Sequence, residues 1–269
     1  MKKRLFSLTM TSMGMLYALL FSGCAYYIPQ VGHIPLMSQR GELVAEAGIG
    51  PAAMDAYVLA SEGASDCPWF YQAACAYAPT DHLALQLSSR KYADTRHQIM
   101  AGYYTPLGEN AVVEVYGGYA YAKCSDMDRE DVEWSRYGNA QTFFVQGDIG
   151  IPSVRPSWDK KTAYSVAFGL RAGGLWLDYT EDSRLYVWNE EHLNGQWVPQ
   201  PTEQHNVTGF ELQPMLQVGI GGDRFKVEWT IGYSWTVFHN GQNLGFFPAS
   251  CNLSLTYRIP LKKHNSPTP

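Results

Sequence analysis

Histidines with carboxylates near them in the sequence are the residues of this chain best suited to acid–base chemistry. The closest such dyad is Asp81-His82, and His97 has Asp94 nearby. Further candidates fall in later stretches: His192, His205 and His239, with Glu190, Glu191 and Glu203. Yet no serine, histidine and acid have a diagnostic spacing, and a capping aspartate in a tight turn accounts for Asp81. We therefore predict no catalytic residue, with a hydrolase or lipid-modifying enzyme at one rim of the fold kept as an alternative.

Thiols are the second group of reactive side chains. Beyond residue 24 they are Cys67, Cys75, Cys124 and Cys251. Cys67 and Cys124 fall in long connections, where a disulfide is one interpretation, whereas free buried thiols on strands are expected at Cys75 and Cys251. No pair has CxxC spacing, so we predict neither a metal site nor a cofactor.

Cys24 is the residue whose chemistry the sequence predicts most directly. Three basic residues open the chain, an apolar run covers 5–20, and small residues precede Cys24. This is the organisation of a secretory signal peptide. The run is shorter than the roughly 20 residues of a spanning helix, so we expect residues 1–23 to be removed. The segment resembles a bacterial lipoprotein signal, which implies that Cys24 becomes the lipid-bearing first residue.

The composition of the remaining 246 residues, 269 minus the 23 of the leader, narrows the fold class. Over the whole chain, charged residues make up 17%, aromatic residues 14%, and there are 25 glycines. Many aromatics and glycines with few charges favour strands over helices. A net charge of −5 offers no basic patch for nucleic acid. The mean hydropathy of −0.23 excludes a helical membrane bundle but allows a membrane barrel, whose strands are only half apolar.

Strict alternation of apolar and polar residues predicts the strands that position these groups. It is unbroken from Phe225 to Val237, repeats from Phe210 to Ile220, and returns from Cys251 to Ile259. Weaker alternation elsewhere completes a set of about ten strands, an even number as single-chain bacterial barrels require. We predict them near 42–49, 69–78, 82–91, 96–105, 111–123, 141–151, 162–180, 208–221, 223–237 and 248–259.

Connection lengths predict an up-and-down barrel with two different ends. The short or moderate connections are 79–81, 106–110, 152–161 and 221–223. The long ones are 50–68, 124–140, 181–207 and 238–247, with 92–95 as the exception. Because membrane barrels have short periplasmic turns and long outer loops, this predicts an all-β, antiparallel, transmembrane β-barrel of about 10 strands (8–12).

The two faces of the strands argue against the main alternative, a lipid-tethered soluble barrel with an apolar core. Large rings such as Trp229, Tyr233 and Trp235 crowd one face, where a small closed barrel has little room for them. The other face has small residues and charges of both signs that could pair in the lumen: Glu114, Asp148, Arg171, Glu211, Lys226, Glu228 and Arg258.

The chain resembles the small outer-membrane β-barrel proteins of Gram-negative bacteria, particularly those of the Bacteroidota. The likeness rests on the lipobox-like start, the run from Ala76 to Leu85, the hairpin from Gly102 to Gly118 and the final alternating strand. It implies a barrel over 41–259. In such barrels an aromatic residue normally closes the last strand, whereas here Ile259-Pro260 precedes a polar tail.

The same resemblance implies how the ends of the chain are placed. Residues 24–40 would form a periplasmic linker behind the lipid, and 260–269 a polar periplasmic tail. Residues 25–29 lack the acidic cluster of surface-displayed lipoproteins, which favours a lipid on the periplasmic side.

The function predicted from these patterns is that of a non-enzymatic outer-membrane lipoprotein. Its partners would be membrane lipids and an extracellular ligand or envelope protein, contacted through outer loops such as 181–207 with Trp188 and Trp197. A narrow channel is a second alternative, which a lumen filled by paired charges would disfavour, because eight to ten strands leave little open bore.

Overall fold

The computed structural model describes residues 32–51, 69–91, 95–125, 134–156, 161–189, 194–199, 201–239 and 249–260. Within these ranges the secondary structure consists of antiparallel strands joined by turns. Among the described residues, no helix is long and apolar enough to span a bilayer.

Strands form where the alternation predicted them, and the described part of the chain contains twelve. They are β1 Glu42–Pro51, β2 Trp69–Tyr77, β3 Leu83–Lys91, β4 Thr95–Leu107, β5 Ala111–Ser125, β6 Trp134–Val154, β7 Ala163–Asn189, β8 Asn194–Pro199, β9 Glu203–Gly221, β10 Phe225–Tyr233, β11 Trp235–Phe238 and β12 Ala249–Pro260.

These strands close into a barrel of ten. Neighbours in sequence pair from β1 to β7, β9 follows β7, and β12 returns to β1 with Glu42 opposite Pro260. β10 and β11 both pair with β9 and are separated at Ser234, so together they make one strand of the wall. β8 pairs with β7 beyond the closed part. The predicted ten-stranded antiparallel barrel is confirmed.

The burial pattern shows which face points inward. On β12, Asn252, Ser254 and Thr256 are buried, whereas Leu253 and Leu255 are about half exposed. Around the described wall, 32 large hydrophobic side chains are exposed in this way, far more than soluble monomers tolerate. The alternative of a soluble barrel with an apolar core is therefore wrong, because the apolar face is the outer one.

The two ends of the barrel differ, as the connection lengths predicted. Short turns at 78–82, 108–110 and 222–224 join strands at one end, which we assign to the periplasm. At the other end the wall rises on one side, because β7 has 27 residues and β9 has 19. The expected loops 124–140 and 181–207 are consequently much shorter than predicted. Ladder pairing satisfies their backbone groups, so β6, β7 and β9 continue outward as sheet.

The start of the described chain departs from the predicted periplasmic linker. Residues 32–37 of that linker are buried inside the barrel. Their apolar side chains join clusters of inward-facing wall residues: Met37 belongs to a cluster that includes Val44 and Tyr104, and Ile34 belongs to one that includes Met215. Buried polar side chains of the inner wall need hydrogen-bond partners. The backbone of this segment supplies some of them.

Candidate functional site in the barrel lumen

The inner wall carries a balanced set of buried charges. In the described chain the buried acids are Glu42, Glu46, Glu114, Asp148, Glu211 and Glu228, and the buried bases are Arg90, Arg96, Arg171, Lys226 and Arg258. Six acids against five bases leave one carboxylate in excess, and the buried His33 can balance it when protonated. A buried ionised side chain is tolerated when it is paired and hydrogen-bonded. We therefore expect these acids and bases to form a hydrogen-bonded network in the lumen.

The chain enters this network by reversing direction just before β1. Gly41 has a φ of 73°, a left-handed conformation that favours glycine, and its N–H donates to the Ala78 carbonyl at 2.7 Å. Ser38 then donates to Glu42 from both its N–H, at 2.7 Å, and its hydroxyl, at 2.9 Å. Further along the segment, His33 pairs with Glu46. Residues 33–38, the lumen segment, therefore rise inside the barrel alongside β1.

Two wall residues hold the backbone of the lumen segment. The Glu114 carboxylate accepts the N–H groups of Met37 at 2.6 Å and Leu36 at 3.1 Å. Arg258 donates to the carbonyls of Pro35 and Leu36 and also to Glu42 at 3.0 Å. Leu36 has a φ of 49°, an uncommon value for a residue with a side chain, and these bonds on both sides of it hold that conformation.

The top of the lumen segment lies against the middle of the wall. The His33 carbonyl accepts hydrogen bonds from Gln86 at 3.2 Å and Gln146 at 3.1 Å. Next to it, a Cβ added at Gly32 would lie only 2.5 Å from the Met215 sulfur and 2.8 Å from an Arg171 nitrogen. The lumen is thus packed tightly around the backbone at this level.

Above and beside the lumen segment, polar side chains of the wall form hydrogen bonds with one another. Arg171 donates to Gln146 at 2.6 Å and to Gln98 at 3.1 Å, and its guanidinium lies 4.2 Å from the centre of the Phe144 ring. Glu228 accepts from Thr256 at 2.5 Å and from Gln217 at 2.8 Å. Most of these bonds join neighbouring strands, and the bond from Arg171 on β7 to Gln98 on β4 reaches past two strands of the wall.

The residues considered for acid–base chemistry are not brought together. Asp81-His82 lies exposed at a periplasmic turn, where the His82 ring stacks on Tyr103 at 5.1 Å. His97 lies on the outer wall, in a shallow hollow of about 570 Å³ lined mainly by apolar side chains of β2 to β5. His97 faces away from the lumen, two residues from the outer end of β4.

At the outer end, His205 is the one candidate with a carboxylate in reach among the described residues. Its Nε2 lies 3.4 Å from Glu203, and its ring stacks on Tyr179 at 4.9 Å. His239 pairs through its backbone with Thr208. In the described ranges no three His, Cys, Asp or Glu residues are arranged to hold a metal ion. The positions Cys24, Cys67, His192, Glu190 and Glu191 lie outside the described residues.

The strand thiols face a different environment from the one expected. Cys75 and Cys251 are free, as predicted, but Cys75 is exposed on the outer wall and Cys251 is partly exposed there. The expectation of buried thiols is wrong, because both lie in the apolar outward register of their strands. Trp229 on the neighbouring strand donates its indole N–H to the Cys251 sulfur at 2.9 Å.

The sequence patterns missed the lumen segment. The run Ile34-Pro35-Leu36-Met37 was a signal for it, because an apolar stretch of this kind has no reason to lie in a water-filled linker. The lumen charges themselves were anticipated, although their partners in residues 33–38 were not. Arg258, for example, contacts the lumen segment as well as a wall carboxylate.

Comparison with known proteins gives likenesses of low identity. No family model matches the chain. No curated protein matches it either. The N-terminal β-barrel domain of OprF from Pseudomonas aeruginosa shares 12% identity over 83% of this chain and 100% of its own length, with a TM-score of 0.29. The translocator domain of the autotransporter NalP from Neisseria meningitidis shares 12% over 81% and 88%, with a TM-score of 0.37.

A third similar structure is the monoaromatic hydrocarbon channel CymD, at 7% identity over 84% of this chain and 90% of that chain, with a TM-score of 0.28. At such low similarity the assignment rests on the barrel itself. A closed antiparallel wall with an apolar outer face and a polar interior satisfies every condition for crossing a bilayer with strands. The chain is a transmembrane β-barrel of the class found in bacterial outer membranes.

Proposed function

We propose that this protein is a non-enzymatic outer-membrane lipoprotein, anchored by its barrel and by a lipid on Cys24, that presents its raised outer wall to a partner outside the cell. The observation that carries the proposal is the filled lumen. Residues 32–37 and the charges around them occupy the interior that a transport pathway would need. The role of the barrel in this proposal is to anchor the raised outer wall in the membrane.

The raised wall is the part of the molecule suited to that role. β6 and β9 both pair with β7 beyond the ends of β3 and β4, and β8 adds a further hairpin on β7. A sheet of this kind offers a more rigid binding surface than a loop, because ladder hydrogen bonds fix its backbone. An extracellular ligand or a second envelope protein is the partner we expect.

Planar-bilayer recordings of the purified barrel test this function against the narrow channel. We expect no stepwise conductance from the wild-type protein. Stable conductance steps that persist in Gly32→Ala, Arg258→Gln and wild type alike would contradict a filled lumen and favour the channel.

Incorporation of labelled palmitate into the protein expressed in a Gram-negative host tests the lipid. We expect label in the wild type and none after Cys24→Ser, with both proteins recovered in the outer membrane because the barrel itself is embedded. Heat-modifiable gel migration shows that the barrel has folded in each case. A wild-type protein without label would remove the lipoprotein part of the proposal and leave the barrel.

A further inference from the structure

The direction in which the lumen segment travels determines where the residues before it must go. Ser38 contacts Glu42 at the periplasmic end of β1, and His33 contacts Glu46, four residues closer to the outer end of the same strand. Gly32 has then reached Met215 on β9, six residues from the periplasmic end of that strand. Read from residue 38 to residue 32, the chain climbs through the barrel toward the outside.

Side chains of the wall pack closely around the backbone at Gly32. A single added Cβ would approach the Met215 sulfur to 2.5 Å, an Arg171 nitrogen to 2.8 Å and a Gln146 oxygen to 2.9 Å. A returning strand needs about 4.7–4.9 Å beside its neighbour. A chain that descends from Gly32 beside the lumen segment would have to displace the ends of the Met215, Arg171 and Gln146 side chains that line this level.

An apolar surface lies on the inner wall directly above this point. Its members face inward and are buried: Ala122, Ala140, Leu175, Leu177, Tyr179 and Val207, which we name the inner collar. On β7 the collar begins four residues beyond Arg171, on the outward side of Gly32. It lines the side of the lumen formed by β5, β6, β7 and β9, and Phe238 packs against it. A segment that passes this level is therefore accommodated best when it is apolar.

The chain itself supplies such an occupant in residues 25–31. Their sequence, Ala-Tyr-Tyr-Ile-Pro-Gln-Val, contains no charged residue. The eight residues from 24 to 31 can span up to about 26–29 Å when extended. From Arg171 to Tyr179 is eight strand residues, about 26 Å along a strand that is itself tilted to the barrel axis. The segment is therefore long enough to pass the collar and bring Cys24 to the outer rim.

We propose that residues 25–31 thread through the inner collar and that Cys24 emerges at the outer end, so that its lipid anchors the protein in the outer leaflet at the cell surface. The lipid itself rests on the proposed function above, whereas the threading rests on the path of the lumen segment. This replaces the periplasmic lipid that the resemblance implied. The protein would be fixed to its membrane by a chain running through its own barrel.

Disulfide formation in outer-membrane preparations tests the threading. The four thiols at positions 67, 75, 124 and 251 are changed to serine, Cys24 is kept, and Tyr27→Cys is combined with either Ala140→Cys or Ala84→Cys. Ala140 belongs to the collar, and Ala84 is an equally small and buried inner-wall residue near the periplasmic end. Heat-modifiable migration confirms that each variant has folded.

We expect oxidation to cross-link residue 27 to residue 140 and not to residue 84. Cross-linking to residue 84, or to neither partner in a folded barrel, overturns the proposal. In the same background, which lacks the other four cysteines, Ala25→Cys should add reactivity toward a membrane-impermeant maleimide on intact cells. Reaction only after the outer membrane is permeabilised counts equally against it.

Palmitate labelling of the same variants separates this proposal from the lipoprotein assignment. Label together with the cross-link to residue 140 supports both. A cross-link to residue 140 without label keeps the threaded chain and removes the lipid. Label together with a cross-link to residue 84 keeps the lipoprotein and removes the threading.

Discussion

Arg258, near the end of the last strand, donates hydrogen bonds to the carbonyls of Pro35 and Leu36, more than 220 positions earlier in the chain. The same guanidinium pairs with Glu42 at 3.0 Å, at the start of the first strand. Because β12 and β1 also close the barrel, one side chain joins barrel closure to docking of the lumen segment. The two events are therefore energetically coupled.

Changing Arg258→Gln should destabilise the barrel by about 3–5 kcal/mol, because it leaves the buried Glu42 carboxylate without its cation. The folded band on unboiled gels should convert to the unfolded band at a lower temperature than in the wild type. The matched control is Arg224→Gln, an exposed arginine in the turn before β10, which should leave the conversion temperature unchanged. Equal behaviour of the two variants would show that Arg258 is dispensable.

Glu114→Gln should loosen the lumen segment while leaving the wall intact. An amide offers a single, uncharged acceptor in place of the carboxylate that binds the N–H groups of Leu36 and Met37. Hydrogen bonds to charged groups contribute about 1.5–3 kcal/mol, so exchange of these two amides should accelerate roughly 10- to 150-fold. Hydrogen exchange followed by mass spectrometry measures it. Glu109→Gln, at an exposed turn, is the control, and unchanged exchange in Glu114→Gln would refute the role assigned to this carboxylate.

Val145→Arg should impair membrane assembly, since Val145 is 58% exposed on the lipid-facing side of β6. Arginine near the midplane of a barrel's lipid face costs about 2–4 kcal/mol, and the cost falls toward the interfaces. Tyr137→Arg, eight residues further out on the same strand and also exposed, should assemble normally. The measurement is the folded fraction after refolding into lipid vesicles. Equal yields for the two variants would mean that this face does not contact lipid.

The contact between His33 and Glu46 should make stability depend on pH. Burial lowers the pKa of His33, but the Glu46 carboxylate, with Glu228 and Glu114 further away, more than offsets this, and the pKa is raised above its usual value. A raised pKa in the folded state means that the stabilisation is complete below about 6.5, the ordinary histidine value, and is lost as the pH rises through the folded-state pKa.

The conversion temperature of the wild-type barrel should therefore fall as the pH is raised, and His33→Gln should remove this component. His82→Gln, an exposed histidine at a periplasmic turn, should keep the wild-type profile. Indistinguishable profiles for wild type and His33→Gln would assign the pH dependence to other groups.

The strands were predictable because a barrel wall imposes one simple pattern. β10 and β12 alternate without interruption, and lipid outside with polar groups inside demands that alternation at each residue. Noise in the pattern, as at Pro214, did not shift the register, because pairing with β7 on one side fixes it. The outward continuation of β6, β7 and β9 was not predictable, because above the bilayer neither face needs to be apolar.

The candidate site likewise divides into residues that the sequence could place and contacts that it could not predict. Glu114, Arg171, Glu228 and Arg258 could be assigned to the lumen, since each lies in the inward register of a strand. Their contacts could not, because those join residues that are far apart in the sequence, such as Arg258 and Pro35. No periodicity links such positions, and the short segment 33–38 has none of its own.

The leader of residues 1–23 and the lipid on Cys24 stay predictions. By itself the sequence determined an all-β chain of about ten strands, and which side of each strand faces lipid. These depend on local composition and on the two-residue repeat of a strand, both of which can be read along the chain. The tertiary structure alone decided that the residues before β1 turn back at Gly41 into the barrel, and that a balanced charge network receives them. That outcome depends on the size and polarity of the lumen, which exists only after the first and last strands have met.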